Sequence, residues 1–161
     1  MKFLRYLLSV ISLFIILSSQ AQEQEIMKVV QSVFDGMASN NGEMVKGAFT
    51  ADAAMFTVAY DKEGKVFKRQ GSLEKFAEAV SAPKDQAYNE PIWNERVEID
   101  GALASVWVDY AFYLGNTFHH CGVDAFHLML TDNGWKIFHL VDTRRTEDCK
   151  VPNSVKKKYE D

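Results

Sequence analysis

Residues 100–145 form long, mostly apolar runs interrupted by polar turn dipeptides, which predicts three long strands joined by tight turns. Gly115-Asn116 and Asn133-Gly134 tolerate the positive φ that two-residue hairpin turns require, and Asp100-Gly101 supplies a turn at the leading edge. Val, Trp, Tyr, Phe, Ile and Leu are frequent between these turns, as strands prefer. Residues 92–99 predict one more strand, so the chain closes with a four-strand antiparallel meander.

The preceding part of the chain predicts three helices and one short hairpin. Apolar residues at three- and four-residue spacing predict an amphipathic helix over residues 23–39, and a short second helix follows before Thr50. Ser72 is the predicted N-cap of a third helix that ends at Pro83. A hairpin is predicted between the second and third helices, with strands at 53–60 and 65–69, and residues 84–90 are a predicted loop. Helices gathered on one face of such a sheet make an α+β domain.

The first 21 residues have the pattern of a signal peptide. Lys2 and Arg5 make a charged start, residues 7–17 are an apolar run, and Ser19-Gln20-Ala21 offers a cleavage site. The alternative is an uncleaved anchor, although the apolar run is shorter than the ~20 residues of an ordinary spanning helix. We therefore expect an exported, periplasmic or extracellular protein with a signal peptide at 1–21, a folded domain at 22–149 and a solvated, charged tail at 150–161.

Charge argues against a nucleic-acid partner. The formal net charge of −4 becomes −6 when the two positive charges of residues 1–21 are removed. The one run of basic residues is Lys156-Lys157-Lys158, which stands in the predicted tail. We expect no nucleic-acid partner, and no membrane contact once the signal peptide is removed.

Several stretches resemble one known superfamily. Residues 120–126 read HCGVDAF, residues 132–137 read DNGWKI, and the chain closes with Asp142-Thr143-Arg144-Arg145 and Cys149. With the predicted order of elements, they resemble the nuclear transport factor 2-like superfamily over about residues 23–149. The nearest branch is the secreted bacterial one known as SnoaL-like or lumazine-binding. The resemblance implies a cone-shaped, strongly curved antiparallel sheet packed on three N-terminal helices, with a small-molecule pocket between them.

The predicted turns fix which strand positions face each other. With two-residue turns at Gly115-Asn116 and Asn133-Gly134, paired positions sum to 231 in the first hairpin and 267 in the second. Tyr110, Phe112, Asp142 and Arg144 then lie on one face. The other face, to which we assign the pocket, carries Ser105, Trp107, Asp109, Ala111, Tyr113, His120, Asp124, Phe126, Leu128, Ile137, His139, Val141, Thr143 and Arg145. A single bulge would exchange the faces beyond it.

The predicted pocket face offers binding and acid–base groups. The predicted ligand-binding residues are Trp107, Tyr113, Phe126, His139 and Arg145. The candidate catalytic residues are Asp109, His120 and Asp124, because in this pairing Asp109 faces Gly122 and the other two are its diagonal neighbours. The alternative for Asp109 is a structural ion pair with Arg145 across Gly122. The set does not match the Tyr–Asp–Asp arrangement of the steroid isomerases.

Metal binding is not predicted. All four histidines lie between positions 119 and 139, but His119 and His120 point to opposite faces of a regular strand, and no face gathers three ligands. We expect no metal and no cofactor.

The chain has two cysteines, Cys121 and Cys149. In an exported protein a disulfide is the first expectation, and the predicted pairing places Cys121 opposite Thr146, three residues before Cys149. Two free, buried cysteines are the alternative.

Two functions remain open from the sequence. The first, which we favour, is a small-molecule-binding or assembly domain whose ligand is an aromatic or heterocyclic molecule. The second is a cofactor-independent isomerase, dehydratase or hydrolase that uses the Asp and His groups of the same pocket. Both faces of the predicted sheet are apolar, which predicts a homodimer that covers the face away from the helices.

Overall fold

The computed structural model describes the backbone of residues 2–160 and the side chains of residues 20–160. Helix α1 spans Lys2–Ala38, and its C-terminal half matches the predicted amphipathic helix. Most of the predicted signal peptide lies outside the described side chains, so that assignment stays a prediction. Within the described part of the chain, no helix is both long enough and apolar enough to cross a membrane.

Two short helices complete the N-terminal layer. Helix α2 spans Gly42–Gly47, and the Asn41 side chain accepts a hydrogen bond from the backbone N–H of Met44. Helix α3 spans Leu73–Ser81, and Ser72 is its N-cap, as predicted, because its hydroxyl accepts from the N–H of Lys75. The α2–α3 contact is close, since a side chain at Gly42 would meet the Ala77 carbonyl oxygen at 2.2 Å.

The helices cover one face of a seven-stranded sheet. Its strands are β1 (Phe49–Tyr60), β2 (Val66–Gln70), β3 (Tyr88–Asn89), β4 (Ile92–Asp100), β5 (Leu103–Leu114), β6 (Thr117–Thr131) and β7 (Gly134–Arg144). The order is β2-β1-β7-β6-β5-β3, with β4 also paired to β5. The predicted meander β4–β7 and the predicted α+β fold are confirmed. One pairing, β1 with β7, is parallel, and β3 lies in the predicted loop.

A single main core lies between the helices and the inner face of the sheet. The helices contribute Ile26, Val30, Val33 and Phe34 among others, and the strands contribute Val106, Val108, Phe126, Leu128 and Ile137. Each of these side chains exposes only a few per cent of its surface. The three- and four-residue spacing in α1 and the two-residue spacing in the strands therefore bury matching apolar faces.

The C-terminal segment covers part of the outer face. Cys121 and Cys149 form the predicted disulfide. Beyond it, α4 (Asn153–Tyr159) stacks Tyr159 on Tyr113, with ring centroids 5.0 Å apart. The phenol of Tyr113 donates a hydrogen bond to Glu160 at 2.8 Å. None of the residues of α4 is fully buried, but Tyr159 packs beside the disulfide, so the segment predicted as a solvated tail lies partly against the outer face.

Two bulges shift the predicted strand pairing. Tyr113 pairs with Phe118 and Leu114 with Thr117, as predicted, but from Phe112, which pairs with His120, the positions sum to 232. His119 is the extra residue, so β5 is turned over relative to β6. The second hairpin turns at Asp132-Asn133 instead of Asn133-Gly134, and Phe138 is its extra residue. The predicted pairing sum of 231 therefore holds only for the two pairs nearest the first turn, and the predicted sum of 267 holds for no pair of the second hairpin.

Candidate functional site

A cavity of about 330 Å³ lies between the inner face of the sheet and the helices. Its apolar wall is formed by Phe34, Met37, Met55, Phe76, Tyr88, Phe112, Phe126 and Leu140. Polar groups line the remainder, from strands β1, β2, β5, β6 and β7 and from Glu90 just beyond β3. A concave, mostly apolar space with a few converging polar groups is the usual form of a small-molecule site.

The polar groups follow one row across four neighbouring strands. Asp124 of β6 pairs with Asp142 of β7, Asp142 pairs with Thr57 of β1, and Thr57 pairs with Arg69 of β2. All four residues line the cavity. Paired residues on adjacent strands point to the same side of a sheet, so the row is a direct product of the pairing.

Asp142 is the centre of this row because both of its oxygens are engaged. Thr57 donates its hydroxyl to Oδ1 at 2.7 Å, and Arg144 donates Nε–H to Oδ2 at 2.6 Å. The side chain of Asp142 is 14% exposed and that of Arg144 is 45% exposed. Burial alone would lower the pKa of Arg144, but the hydrogen bond and charge of Asp142 raise it. Arg144 is therefore a permanent cation held at the solvent side of the cavity.

Glu90 and Asp124 form a pair of carboxyl groups in the cavity, of which Asp124 is buried and Glu90 half-buried. Both line the cavity, and each affects the pKa of the other. Burial, together with the negative charge of Asp142, raises the pKa of Glu90 to about 8. Burial and the charge of Glu90 also raise the pKa of Asp124 well above its usual range. The two groups titrate as a unit, and near neutral pH the pair holds protons that ordinary carboxylates would have lost.

His120 lines the same cavity as a neutral imidazole. Burial and the charge of Arg144 lower its pKa to about 4. Its ring contacts those of Tyr110 and Phe112, with centroids 5.6 and 5.1 Å away. Its Nδ1 lies 2.8 Å from Nδ1 of the exposed His119, a contact that the bulge at His119 makes possible. At neutral pH His120 can accept or donate a hydrogen bond but carries no charge.

Gly122 gives Tyr110 room to cross the sheet. The Tyr110 phenol donates to the carbonyl oxygen of Thr143 at 2.8 Å. A β-carbon at Gly122 would lie 2.8 Å from Cε1 of Tyr110 and 1.8 Å from that carbonyl oxygen. Burial raises the pKa of Tyr110, so its hydroxyl stays protonated.

Three predicted site residues line the cavity and five do not. His120, Asp124 and Phe126 line it, because the predicted face of β6 is the inner one. Trp107, Asp109, Tyr113, His139 and Arg145 are absent from its lining. The bulge at His119 turns β5 over, and the bulge at Phe138 turns over the end of β7.

On β5, the displaced residues have partners outside the cavity. Trp107 is 43% exposed, with the guanidinium of Arg96 5.5 Å from its ring centroid. Asp109 accepts a hydrogen bond from Nδ2 of Asn94 at 2.8 Å. Tyr113 packs under α4. None of these contacts involves the cavity.

On β7, His139 and Arg145 also lie away from the cavity. Nδ1 of His139 is 2.9 Å from Nδ1 of His127 on the facing strand. Burial and the proximity of His127 lower the pKa of His139. Arg145 pairs through its backbone with Cys121, whereas Asp109 pairs with Val123. The predicted Asp109–Arg145 pair across Gly122 is therefore wrong.

Sequence reasoning missed Glu90, Tyr110, Asp142 and Arg144. The last three were assigned to the opposite face by the shifted pairing. Their positions on strands were predicted, but the face to which they point was not. Glu90 lay in a predicted loop and offered no periodic signal. Among residues 20–160, no group of three His, Cys, Asp or Glu side chains could hold a metal ion.

Residues 21–141 match the model of the protein family described as "Putative lumazine-binding". This match covers three quarters of the sequence. The chain belongs to this family. None of the curated proteins with which the sequence was compared matches it.

Solved structures of nuclear transport factor 2-like proteins share the fold. One from Novosphingobium aromaticivorans, described as having a cystatin-like fold, superposes with a TM-score of 0.65 at 14% identity, covering 84% of this chain and 90% of that one. One from Cytophaga hutchinsonii gives 0.60 at 16% identity, with 77% and 98% covered. A protein from Streptomyces avermitilis named a "putative dehydratase" gives 0.58 at 14% identity, with 78% and 97% covered. These likenesses show that the chain has the fold of the nuclear transport factor 2-like proteins.

Proposed function

We propose that this protein is an exported binding protein for a small aromatic or heterocyclic molecule held in the cavity between sheet and helices. The observation that carries the proposal is the cavity itself. Its volume of about 330 Å³ lies within the range of small-molecule sites. Phe34 and Phe126 contact each other edge to face at one wall, with centroids 6.2 Å apart, and give a ring system an aromatic surface.

The polar groups suit a ring that carries heteroatoms. A protonated carboxyl group both donates and accepts hydrogen bonds, and the Glu90–Asp124 pair keeps such a group beside the apolar wall. Neutral His120 adds a second group that can do either. The family description, which refers to lumazine, supports pteridine-like heterocycles as the first compounds to test.

Thermal-shift and calorimetric titrations with pteridines, flavins, purines and indoles test binding. A ligand at about 100 times its Kd adds roughly 2.7 kcal/mol of stability, which raises the Tm by at least about 5 °C in a domain of this size. Leu140→Phe places a larger side chain in the cavity and should abolish the shift. Val141→Phe, at the next position and outside the cavity lining, is the matched control and should retain it. A panel that shifts nothing, or a Leu140→Phe variant that binds like wild type, contradicts the proposal.

Acid–base catalysis is the second candidate. It is favoured by the clustering of Glu90, Asp124 and neutral His120 in one cavity, since perturbed titratable groups concentrate at catalytic sites. The structural relative named a dehydratase makes water elimination from a bound molecule the first reaction to assay. Asp124→Asn should then lower turnover roughly 10²-fold or more. Asp109→Asn makes the same chemical change outside the cavity and should leave turnover unchanged. A ligand that binds and is recovered unaltered favours the binding function.

Export belongs to the same proposal. The Cys121–Cys149 disulfide suits an oxidising compartment, and the charged start and apolar run of residues 1–21 supply a route to it. Intact mass of the protein recovered from its host should correspond to a chain that begins at or near Gln22. A mass that includes residues 1–21 contradicts cleavage at that site.

A further inference from the structure

We infer that the ligand of this cavity is a small aromatic carboxylate, bound with its ring on the apolar wall and its carboxylate on Arg144 and Arg69. The inference rests on the proposed binding function and specifies the class of ligand. The polar row leaves several hydrogen-bond donors without an acceptor among the described residues.

Arg144 presents its free nitrogens to the cavity in a fixed orientation. Its Nε–H is bound to Asp142, which is itself held by Thr57. Among residues 20–160, its terminal Nη groups have no acceptor within hydrogen-bonding distance. A guanidinium fixed in this way keeps a planar pair of donors that matches the two oxygens of a carboxylate.

Arg69 brings a second guanidinium to the same side of the row. It lies two strands from Asp142, about 9.6 Å away along the sheet, and lines the cavity. Within the described part of the chain its side chain has no hydrogen-bond or ion-pair partner. The neighbouring Lys68, in contrast, lies 4.8 Å from the ring centroid of Phe56. Ser72 and Gly71, at the N-terminal end of α3, line the same region, where the helix dipole adds positive potential.

Charge balance favours one negative charge on the ligand. Asp142 neutralises one of the two guanidinium groups. His120 is neutral, and the Glu90–Asp124 pair retains protons because both of its pKa values are raised. The excess positive charge lies at the exposed end of the row, whereas Asp124 at the other end is 4% exposed.

The apolar wall lies at the right distance for a ring attached to that carboxylate. Leu140 precedes Asp142 by two residues on β7, and Phe126 follows Asp124 by two residues on β6. The apolar row that they form therefore runs parallel to the polar row about 7 Å away. A fused bicyclic ring with one carboxylate spans this separation. A ligand without a ring would leave the aromatic wall uncovered.

Calorimetric titration with naphthalene-2-carboxylate and its neutral carboxamide tests the inference on the protein recovered from its host. The two probes share shape and ring, so the difference isolates the charge. Wild type should bind the acid at least roughly tenfold more tightly than the amide, since a hydrogen bond to a charged group is worth that much or more. Arg144→Gln and Arg69→Gln should each remove most of this preference. Arg145→Gln removes the same charge at the next position, outside the cavity lining, and should preserve it.

Failure of this inference differs from failure of the binding function. Equal affinity for acid and amide, no binding of either, or equal losses in Arg144→Gln and Arg145→Gln overturns the carboxylate assignment. If members of the heterocycle panel still bind wild type and not Leu140→Phe, the binding function stands. Arg69→Gln should fold normally, which keeps the test decisive. Arg69 is exposed and unpaired in the described chain, so its loss leaves no buried group unsatisfied.

Discussion

The two faces of the sheet carry similar side chains and differ in what covers them. The inner face has Asp124, Asp142, His120 and Phe126, enclosed by helices and the loop before β4. The outer face has Asp109, Trp107 and the His127–His139 pair, and Trp107 there is 43% exposed. The residue composition of a face therefore does not by itself identify a site. Enclosure perturbs the inner carboxyl groups, while Asp109 has an ordinary hydrogen bond to Asn94.

The largest expected effect separates the two faces by their aromatic residues. Phe126→Ala should lower the free energy of unfolding by about 3–5 kcal/mol, because Phe126 is 1% exposed and packs in the main core beside the cavity. Trp107→Ala should cost about 1 kcal/mol or less in the single chain. Urea denaturation of both variants measures the difference. Equal costs would contradict the assignment of Trp107 to an exposed surface.

Removal of the disulfide should have the next largest effect. Cys121 and Cys149 are separated by 28 positions, and a loop of this length corresponds to about 3.5 kcal/mol in the chain-entropy model. The Cys121→Ser, Cys149→Ser double variant should lose up to this amount and expose Tyr113 as α4 detaches. Denaturant titration and tyrosine fluorescence report the two effects. Two titratable thiols in unreduced, denatured wild type would show that the bond does not form in the cell.

The pH dependence of stability should report on the inner face. The folded pKa of Glu90 is raised to about 8 from 4.5, so between these values the folded protein holds a proton that the unfolded chain has lost. Stability from this group is therefore present below about pH 4.5 and is lost as the pH rises towards 8.

Glu90→Gln should flatten this decline by on the order of 1 kcal/mol between pH 5 and pH 8. Asp124, Asp142, Arg144 and Tyr110 all face the group, so the slope belongs to the cluster. Asp109→Asn, on the outer face, is the control and should keep the wild-type slope. If the stability of wild type and of Glu90→Gln falls with pH in parallel, the Glu90–Asp124 pair does not cause the decline.

The smallest effect on the single chain is expected from a charge on the outer face. We predict a homodimer through this face, so Trp107→Glu should leave the fold intact but shift light scattering from a dimer mass to a monomer mass. Met44→Glu, at an exposed position on α2, should remain dimeric. Wild type that scatters as a monomer at micromolar concentration would contradict the dimer.

The sequence predicted the fold well because its signals are periodic. The α1 pattern, the Ser72 cap and the meander β4–β7 follow from local chemistry. Two bulges decide which face of the sheet about half of the site residues occupy. His119 and Phe138 are ordinary strand residues with no glycine or proline to mark a bulge, and the second hairpin turned one residue early. Glu90 depended on a two-residue strand, β3, which is too short for a pattern.

Because β1 pairs with β7, a newly synthesised chain can complete its sheet only after its last strand has been made. Thr57 and Asp142 stand 85 positions apart, so the polar row of the cavity cannot form before the last strand has been synthesised. Until then β1 has β2 on one side and a free edge on the other. Free strand edges pair readily with other chains. Aggregation of nascent or truncated chains should therefore begin at β1, and a fragment that ends before residue 134 should be more prone to it than the whole protein.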